Sequence, residues 1–386
     1  MKTPKLPYLG LQCTECHRFF QDSTPLSRCK KCQGLLDTVL DEDALSHYSK
    51  RNLGNSTQSM WKFHMFLPVR AGTIPVTAGE GGTPLRPIRS CARSRNILVK
   101  DETRNPTGTF KDRGASLAVT RLSQLNVRKL GLASEGNAGC SFALYSQMAG
   151  IRCNIYLPND ANTAKVELSR KLGAHVTGVH GTISDAGRKA AKFSETTRAY
   201  NASTFVTPFR HDGKGTMALE ICEQLGWESP DYIVYPVGGG VGLVGMSKMF
   251  TILQRLGWIR NRPRMVAVQP KGCAPVVDAY NKGRTEVAEW KTPKTIAKGL
   301  KIPKPLAGKW ILRCLRESRG IALKVSDVGI HRAMLSVAKR DGLLVEPSSA
   351  AAFAAIPELQ ATGAIDTKDR VVVIATGSGS KTLEQF

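Results

Sequence analysis

The sequence predicts an α/β protein of two lobes, with parallel or mostly parallel sheets flanked by helices and a small zinc-ribbon-like module at the front. Three observations carry that prediction. Apolar strand patterns alternate with amphipathic helix patterns, glycine-rich loops directly follow strands, and two CxxC pairs fall within residues 1–45. A chain of 386 residues can bury one large core or two smaller ones, and 41% hydrophobic residues is the share of an ordinary soluble protein. No apolar run approaches the ~20 residues of a membrane span, and Met1-Lys2-Thr3-Pro4-Lys5 lacks the apolar stretch of a secretory leader. A cytoplasmic protein without a membrane partner is expected.

The front module is read from Cys13, Cys16, Cys29 and Cys32, which form CTEC and CKKC with twelve residues between the pairs. Each pair can turn two sulfurs toward one ion, so the four thiolates match tetrahedral zinc, and Gly34 eases the second turn. A closed four-thiolate site has no open position, which makes its metal structural. His17 follows Cys16 and reads as a bystander. Disulfide pairing is the competing reading, disfavoured in a cytosolic setting. Cys91, Cys140, Cys153, Cys222, Cys273 and Cys314 are scattered through apolar or mixed surroundings and read as buried, reduced thiols. Beyond Leu40 the chain turns polar, with Asn52, Gly54, Asn55, Ser56 and Thr57 marking a linker.

An apolar strand over Asn96–Lys100 gives way to a loop with Pro106 and Gly108, and then to Lys111 on the first turn of a helix reaching toward Asn126. The free N–H groups and macrodipole of a helix start disfavour a cation, and a neutral amine is what Schiff-base chemistry needs. Leu130–Ala133 then reads as a short buried strand ending at the loop Ser134–Gly139, followed by an apolar helix over Cys140–Ala149. Loops at the carboxyl ends of strands are where doubly wound sheets bind ligands; Asn137 there also reads as a plain helix cap. Strand and helix patterns continue at 153–157 and 161–172, and at 175–179 and 184–198, as expected for parallel sheet. The strand Asp231–Val237 runs into Gly238, Gly239, Gly240, Val241 and Gly242, whose small residues let backbone N–H groups converge on a phosphate at a helix start. A dinucleotide fingerprint is poorly matched there. Another strand spans Met265–Gln269, residues 271–305 read as irregular, and the strand Val371–Ala375 ends at Thr376-Gly377-Ser378-Gly379.

The formal net charge of +24 is spread along the chain, without a long basic block or an aromatic-interleaved patch. That pattern argues against a dedicated nucleic-acid groove, and for a compositional bias or a field that attracts anionic substrates.

The run NPTGTFKDR, Asn105 to Arg113, resembles the lysine segment of the fold-type-II pyridoxal-phosphate enzymes, and of their threonine synthases and dehydratases in particular. TAGEGGTPL from Thr77, the Ser134–Gly139 loop, the glycine run and VEPSSAAAFAA from Val345 resemble further segments in family order. The resemblance implies that Lys111 holds pyridoxal 5′-phosphate covalently and acts as the catalytic base. It implies that Asn137 meets the 3′ oxygen, that Gly238, Gly239, Gly240, Val241 and Gly242 hold the phosphate, and that Thr376, with Ser378 in reserve, meets the pyridine nitrogen. Ser134, Gly136 and Ala138 would then serve the substrate carboxylate. Arg210, in TPFRHDGKGT, falls where threonine synthases hold the phosphate of O-phosphohomoserine, although Thr207 and Phe209 depart from the pattern. An arginine fork suits a phosphate because it binds through two parallel bonds. TIAKGLKIPKP, Thr295 to Pro305, departs from the family's TIAxAIRIGNP in a loop that borders the substrate.

The implied activity is conversion of O-phospho-L-homoserine and water to L-threonine and phosphate by a homodimer acting on a small phosphorylated amino acid. Serine or threonine ammonia-lyase and a β-replacing synthase on O-phosphoserine, such as cysteate synthase, are the alternatives. A nucleic-acid-binding protein on an inactive scaffold is a distant one. The expected division is 1–45 for the ribbon, 46–124 with 211–386 for a large cofactor-binding lobe, and 125–210 for a smaller, mobile lobe.

Overall fold

The computed structural model describes residues 7–53, 59–90 and 96–385. Gly54, Asn55, Ser56 and Thr57 of the expected linker, and Cys91, lie outside the described residues. The chain packs as two compact units, residues 1–82 with 111–216, and residues 83–110 with 217–386.

In the first unit the strand Tyr8–Cys13 pairs antiparallel with Phe19–Phe20 on one side and Leu36–Leu40 on the other, which forms the expected ribbon. Behind it lies a four-stranded, wholly parallel sheet in the order His175–Val179, Arg152–Pro158, Lys129–Ala133, Tyr200–Asn201. The intervening helices Asn137–Met148, Thr163–Lys171 and Ile183–Thr197 supply the crossovers that parallel neighbours require. Their starts follow local chemistry: Asn162 caps one through Lys165 N, and Thr182 with Asp185 forms a reciprocal capping box at another. Ribbon and sheet share one core, in which Leu11 and Leu36 pack in a cluster with Trp61, Leu117 and Phe142.

The packing therefore divides the chain differently from the expected lobes. Residues 59–82 and the helix Lys111–Gln124 pack in the first unit, where Trp61 Nε1 donates to Ser116 Oγ at 3.0 Å. The ribbon is likewise part of that unit's core, because a module of about 40 residues has little apolar surface of its own to bury.

The second unit is built on a six-stranded sheet in the order Ile321–Val325, Arg264–Pro270, Tyr232–Pro236, Val371–Ala375, Ile97–Asp101, Leu85–Pro87. All pairs are parallel except the last. The three central strands are apolar and buried along almost their whole length, as a parallel sheet covered on both faces demands. Under the edge lies a buried ion pair, Lys100 Nζ to Glu220 Oε2 at 2.7 Å, with Lys100 also donating to Thr83 O at 2.7 Å. Residues 271–305, expected to be irregular, contain the helix Pro275–Asn281, opened by a proline at its first position.

Candidate active site

Three adjacent parallel strands of the second unit end side by side, with Ala375 opposite Asp101 and Val234 opposite Val373. Their carboxyl ends lead into the loop 102–110, the segment from Thr376, and the glycine run from Gly238. The loop is sewn to its neighbour: Phe110 N and Thr109 Oγ1 both donate to Thr376 O, at 3.1 and 3.0 Å, and Ser378 N donates to Gly108 O at 2.8 Å. Gly108 needs its left-handed φ of +73° for that turn. The backbone thus enters Lys111 from a fixed position.

The glycine run opens the helix Val241–Arg255. Gly240 is its cap, in a left-handed conformation at φ +77°, and makes no side-chain cap hydrogen bond. Gly238 and Gly242 are there for space. A Cβ on Gly238 would stand 2.6 Å from Gly299 O, and one on Gly242 would stand 2.1 Å from the Tyr235 hydroxyl. Thr376 is buried, while Ser378 is committed as the cap of a short turn, accepting from Ser380 N at 3.2 Å.

In the first unit Lys111 is the first residue of its helix and is half-buried. Arg210 is likewise the first residue of the helix Arg210–Gln224. The two first turns meet at glycines: a Cβ on Gly213 would lie 2.3 Å from Arg113 O, and one on Gly114 would lie 1.9 Å from Lys214 Nζ. Arg113 Nη1 also donates to Thr216 Oγ1 at 2.9 Å. Arg210 is 2% exposed, its guanidinium 5.0 Å from the Phe142 ring, its Nη1 donating to Ala202 O at 3.0 Å and its Nε without a partner. Burial pushes it down to about 10, so it is charged at neutral pH. Lys214 is lowered well below the usual lysine range, first by burial and then by Arg210 and Lys111.

Asn137 is the first residue of its helix, not its cap. The capping role falls to Ser134, whose Oγ accepts from Gly136 N at 3.0 Å and Gly139 N at 2.8 Å. The Gly136 N–H, expected to serve a carboxylate, is therefore engaged within the loop, whereas Ala138 follows on the first turn. Gly136 itself sits at φ +127°.

Glu80 joins these helices in a way the sequence did not disclose. Fully buried, it accepts from Trp61 Nε1 at 2.8 Å, Tyr145 Oη at 2.7 Å and Ala78 N at 3.0 Å. Trp61 reaches Ser116 on the Lys111 helix, and Tyr145 lies on the Asn137 helix, so one carboxylate spaces the two. Burial, then the charges of Asp112 and Glu80, raises the Tyr145 hydroxyl far above its ordinary value, which keeps it a donor. The only signal in the sequence was an acid within the TAGEGGTPL run.

The sequence pattern of the family described as pyridoxal-phosphate dependent enzyme matches residues 76–377. The chain belongs to that family. Threonine synthase of Methanocaldococcus jannaschii is 33% identical over 376 residues, covering 96% of this chain and 92% of the relative. Threonine synthase of Methanosarcina acetivorans is 33% identical over 371 residues, covering 95% and 91%. Among solved structures, maize serine racemase superposes with a TM-score of 0.67 at 24% identity, over 78% of this chain and 90% of that one, a likeness of fold. A bacterial-strain threonine deaminase, that of T.th., gives 0.63 at 26% identity, over 74% and 87%. The chain is thus a pyridoxal-phosphate-dependent lyase.

The residues present suit that family's cofactor. A helix start left uncapped by any side chain offers backbone N–H groups and the positive end of a dipole to a phosphate at Gly238–Gly242. Lys111 offers the amine.

The four cysteines also suit a metal. Their Sγ atoms lie within 4.8 Å of one another, with Cys13 and Cys32 at 3.4 Å and Cys16 and Cys29 at 3.6 Å. Backbone N–H groups of Glu15 and Cys16 point at Cys13 Sγ, and that of Lys31 at Cys29 Sγ, as thiolate ligands require. Gly34 serves by size: its Cβ would stand 2.9 Å from Cys13 Sγ, and it is not among the glycines at positive φ. Cys140, Cys153, Cys222, Cys273 and Cys314 are buried free thiols, as expected.

Proposed function

We propose that the protein converts O-phospho-L-homoserine and water to L-threonine and phosphate. The observation that carries the reading is Arg210, a buried guanidinium with an unpartnered Nε on the first turn of a helix that meets the Lys111 helix. Such a cation is stabilised by an anion with bidentate geometry, and a phosphate provides one. The threonine synthases of two archaea at 33% identity over more than nine-tenths of the chain support the same substrate class.

Bound pyridoxal phosphate supplies the electron sink that lets bonds at the substrate's Cα and Cβ break. In this reading Lys111 anchors the cofactor, then takes and returns protons at Cα and Cβ, since release from the anchor leaves its amine beside those carbons. Gly238–Gly242 hold the cofactor phosphate, Asn137 meets the 3′ oxygen, and the Thr376 hydroxyl donates to the ring nitrogen without protonating it. Ser134 and Ala138 orient the substrate carboxylate. Arg210 holds the leaving phosphate while water adds at Cβ. The zinc of the ribbon is structural.

The test is phosphate release and amino-acid product analysis on O-phosphohomoserine, O-phosphoserine with sulfite, and threonine, each with wild type and Arg210→Ala. The reading expects threonine and phosphate from the first substrate and a rise in KM in the variant. Ammonia released from threonine, at equal rates in both proteins, refutes it in favour of a lyase without a phosphate contact. Turnover of O-phosphoserine with sulfite alone refutes it in favour of a β-replacing synthase.

A further inference from the structure

Arg210 is poorly held by its own bonds, with one hydrogen bond from the guanidinium and its Nε unpartnered. What fixes it is the chain on either side, and there each contact traces back to the cysteine ribbon. On the N-terminal side, the Phe209 ring lies 5.6 Å from the Arg121 guanidinium, and Arg121 is paired with Asp22 in a buried ion pair. Asp22 sits between the two CxxC pairs, where Tyr8 Oη donates to it at 2.6 Å and the Tyr8 ring lies 5.4 Å from Arg121. On the C-terminal side, His211 Nε2 is 2.7 Å from Asp37 Oδ1, and Thr38 Oγ1 donates to Asp212 Oδ2 at 2.6 Å. Thr38, His211 and Asp212 are all at most 2% exposed.

Asp37 and Thr38 are in register with the metal ligands. Cys13 stands opposite Leu36, Gln12 opposite Asp37 and Leu11 opposite Thr38. A sulfur cluster that sets the end of the strand Tyr8–Cys13 therefore sets where Asp37 and Thr38 meet the helix.

We infer that the ribbon positions Arg210, with Asp22, Asp37 and Thr38 as positioning residues, so that a module remote from the chemistry sets the affinity for the substrate phosphate. This rests on the phosphate role given to Arg210 above. Buried hydrogen bonds to a carboxylate hold geometry closely, because losing one leaves the acceptor desolvated.

The experiment compares Thr38→Val, Thr38→Ser and Asp22→Asn holoenzymes with wild type by KM for O-phosphohomoserine and by Ki of inorganic phosphate. The visible chromophore and the thermal midpoint are followed in parallel. Thr38→Val is expected to raise KM and Ki together by about tenfold with the chromophore unchanged, and Thr38→Ser to restore both. Asp22→Asn moves the same two constants from the other side. Removing the metal from folded wild type with a chelator, followed by metal analysis, is expected to raise the Ki of phosphate likewise. Wild-type Ki in Thr38→Val and after metal removal overturns the inference, as does a rise that serine fails to rescue. Arg210→Ala separates the two readings. If it leaves the Ki of phosphate unchanged, the phosphate contact itself fails; if it raises Ki while Thr38→Val does not, the role of the ribbon alone fails.

Discussion

Gly240→Ala tests whether the phosphate cradle depends on a backbone that only glycine adopts. Gly240 holds φ at +77°, and a Cβ there would stand 2.2 Å from Ile311 Cδ1 and 2.5 Å from its Cγ1. The left-handed backbone costs an L-residue about 1–2 kcal/mol. Ile311 is fully buried on the helix Gly308–Glu317, so the overlap adds about 1–3 kcal/mol of overpacking. If the loop relaxes to escape this, the helix start moves away from the cofactor phosphate. Each ~1.4 kcal/mol that binding must then restore weakens cofactor affinity tenfold. The assay is titration of the apoenzyme with pyridoxal phosphate, read by its visible band, with urea unfolding alongside. The variant is expected to bind at least about tenfold more weakly and to unfold at lower urea. Ile311→Ala in the same chain removes the overlap but not the φ strain, so a double-mutant cycle is expected to return a favourable coupling of about 1–3 kcal/mol. Unchanged affinity and unfolding midpoint in Gly240→Ala would refute the reasoning.

Lys111→Ala is expected to abolish the visible band of the reconstituted protein and its fixation by borohydride, with turnover lost; mass analysis of the peptide containing residue 111 checks the attachment. Cys32→Ser is expected to leave the protein with less than one metal per chain and, for a loss of about 2 kcal/mol, a thermal midpoint about 5 °C lower; an unchanged metal content by elemental analysis argues against a four-thiolate site. Lys100→Met strips the counter-charge from buried Glu220 and is expected to cost about 3–5 kcal/mol in urea unfolding, with Lys100→Met/Glu220→Met recovering most of it. Thr376→Ala is expected to lower turnover about fivefold, the worth of one hydrogen bond, while Ser378→Ala, whose hydroxyl caps a turn, changes it little; the reverse order in steady-state rates assigns the contact to Ser378.

The parts legible in the sequence are those whose chemistry is local. Two CxxC pairs, a lysine opening a helix after a proline and glycine loop, and a glycine run after a buried strand each declare themselves within about a dozen residues, and each lies where the pattern places it. The strand His175–Val179 matches its expected bounds, because a strand between turn signals is also local. What stayed hidden depends on distant partners. Glu80 becomes a junction only when Trp61 and Tyr145 reach it, and Lys214, one more lysine in a basic chain, is buried by Gly114, a hundred positions earlier. The division into units escaped for the same reason, since Met60, Trp61 and Leu67 join the core around Leu117 through tertiary packing that no periodicity encodes. The edge strand Ile321–Val325 carries a lysine and partial exposure, which blurred its signal.

Lys111 and Arg210 share an awkward seat, each a cation at the positive end of a helix, and Arg210 is buried as well. A protein selected only for rigidity would carry serine or aspartate there. The anion-free protein is thereby less stable than its scaffold allows, so neutral replacements at either position should melt later than the parent even as they inactivate it. Anionic ligands should correspondingly protect the parent against heat more than they protect those variants.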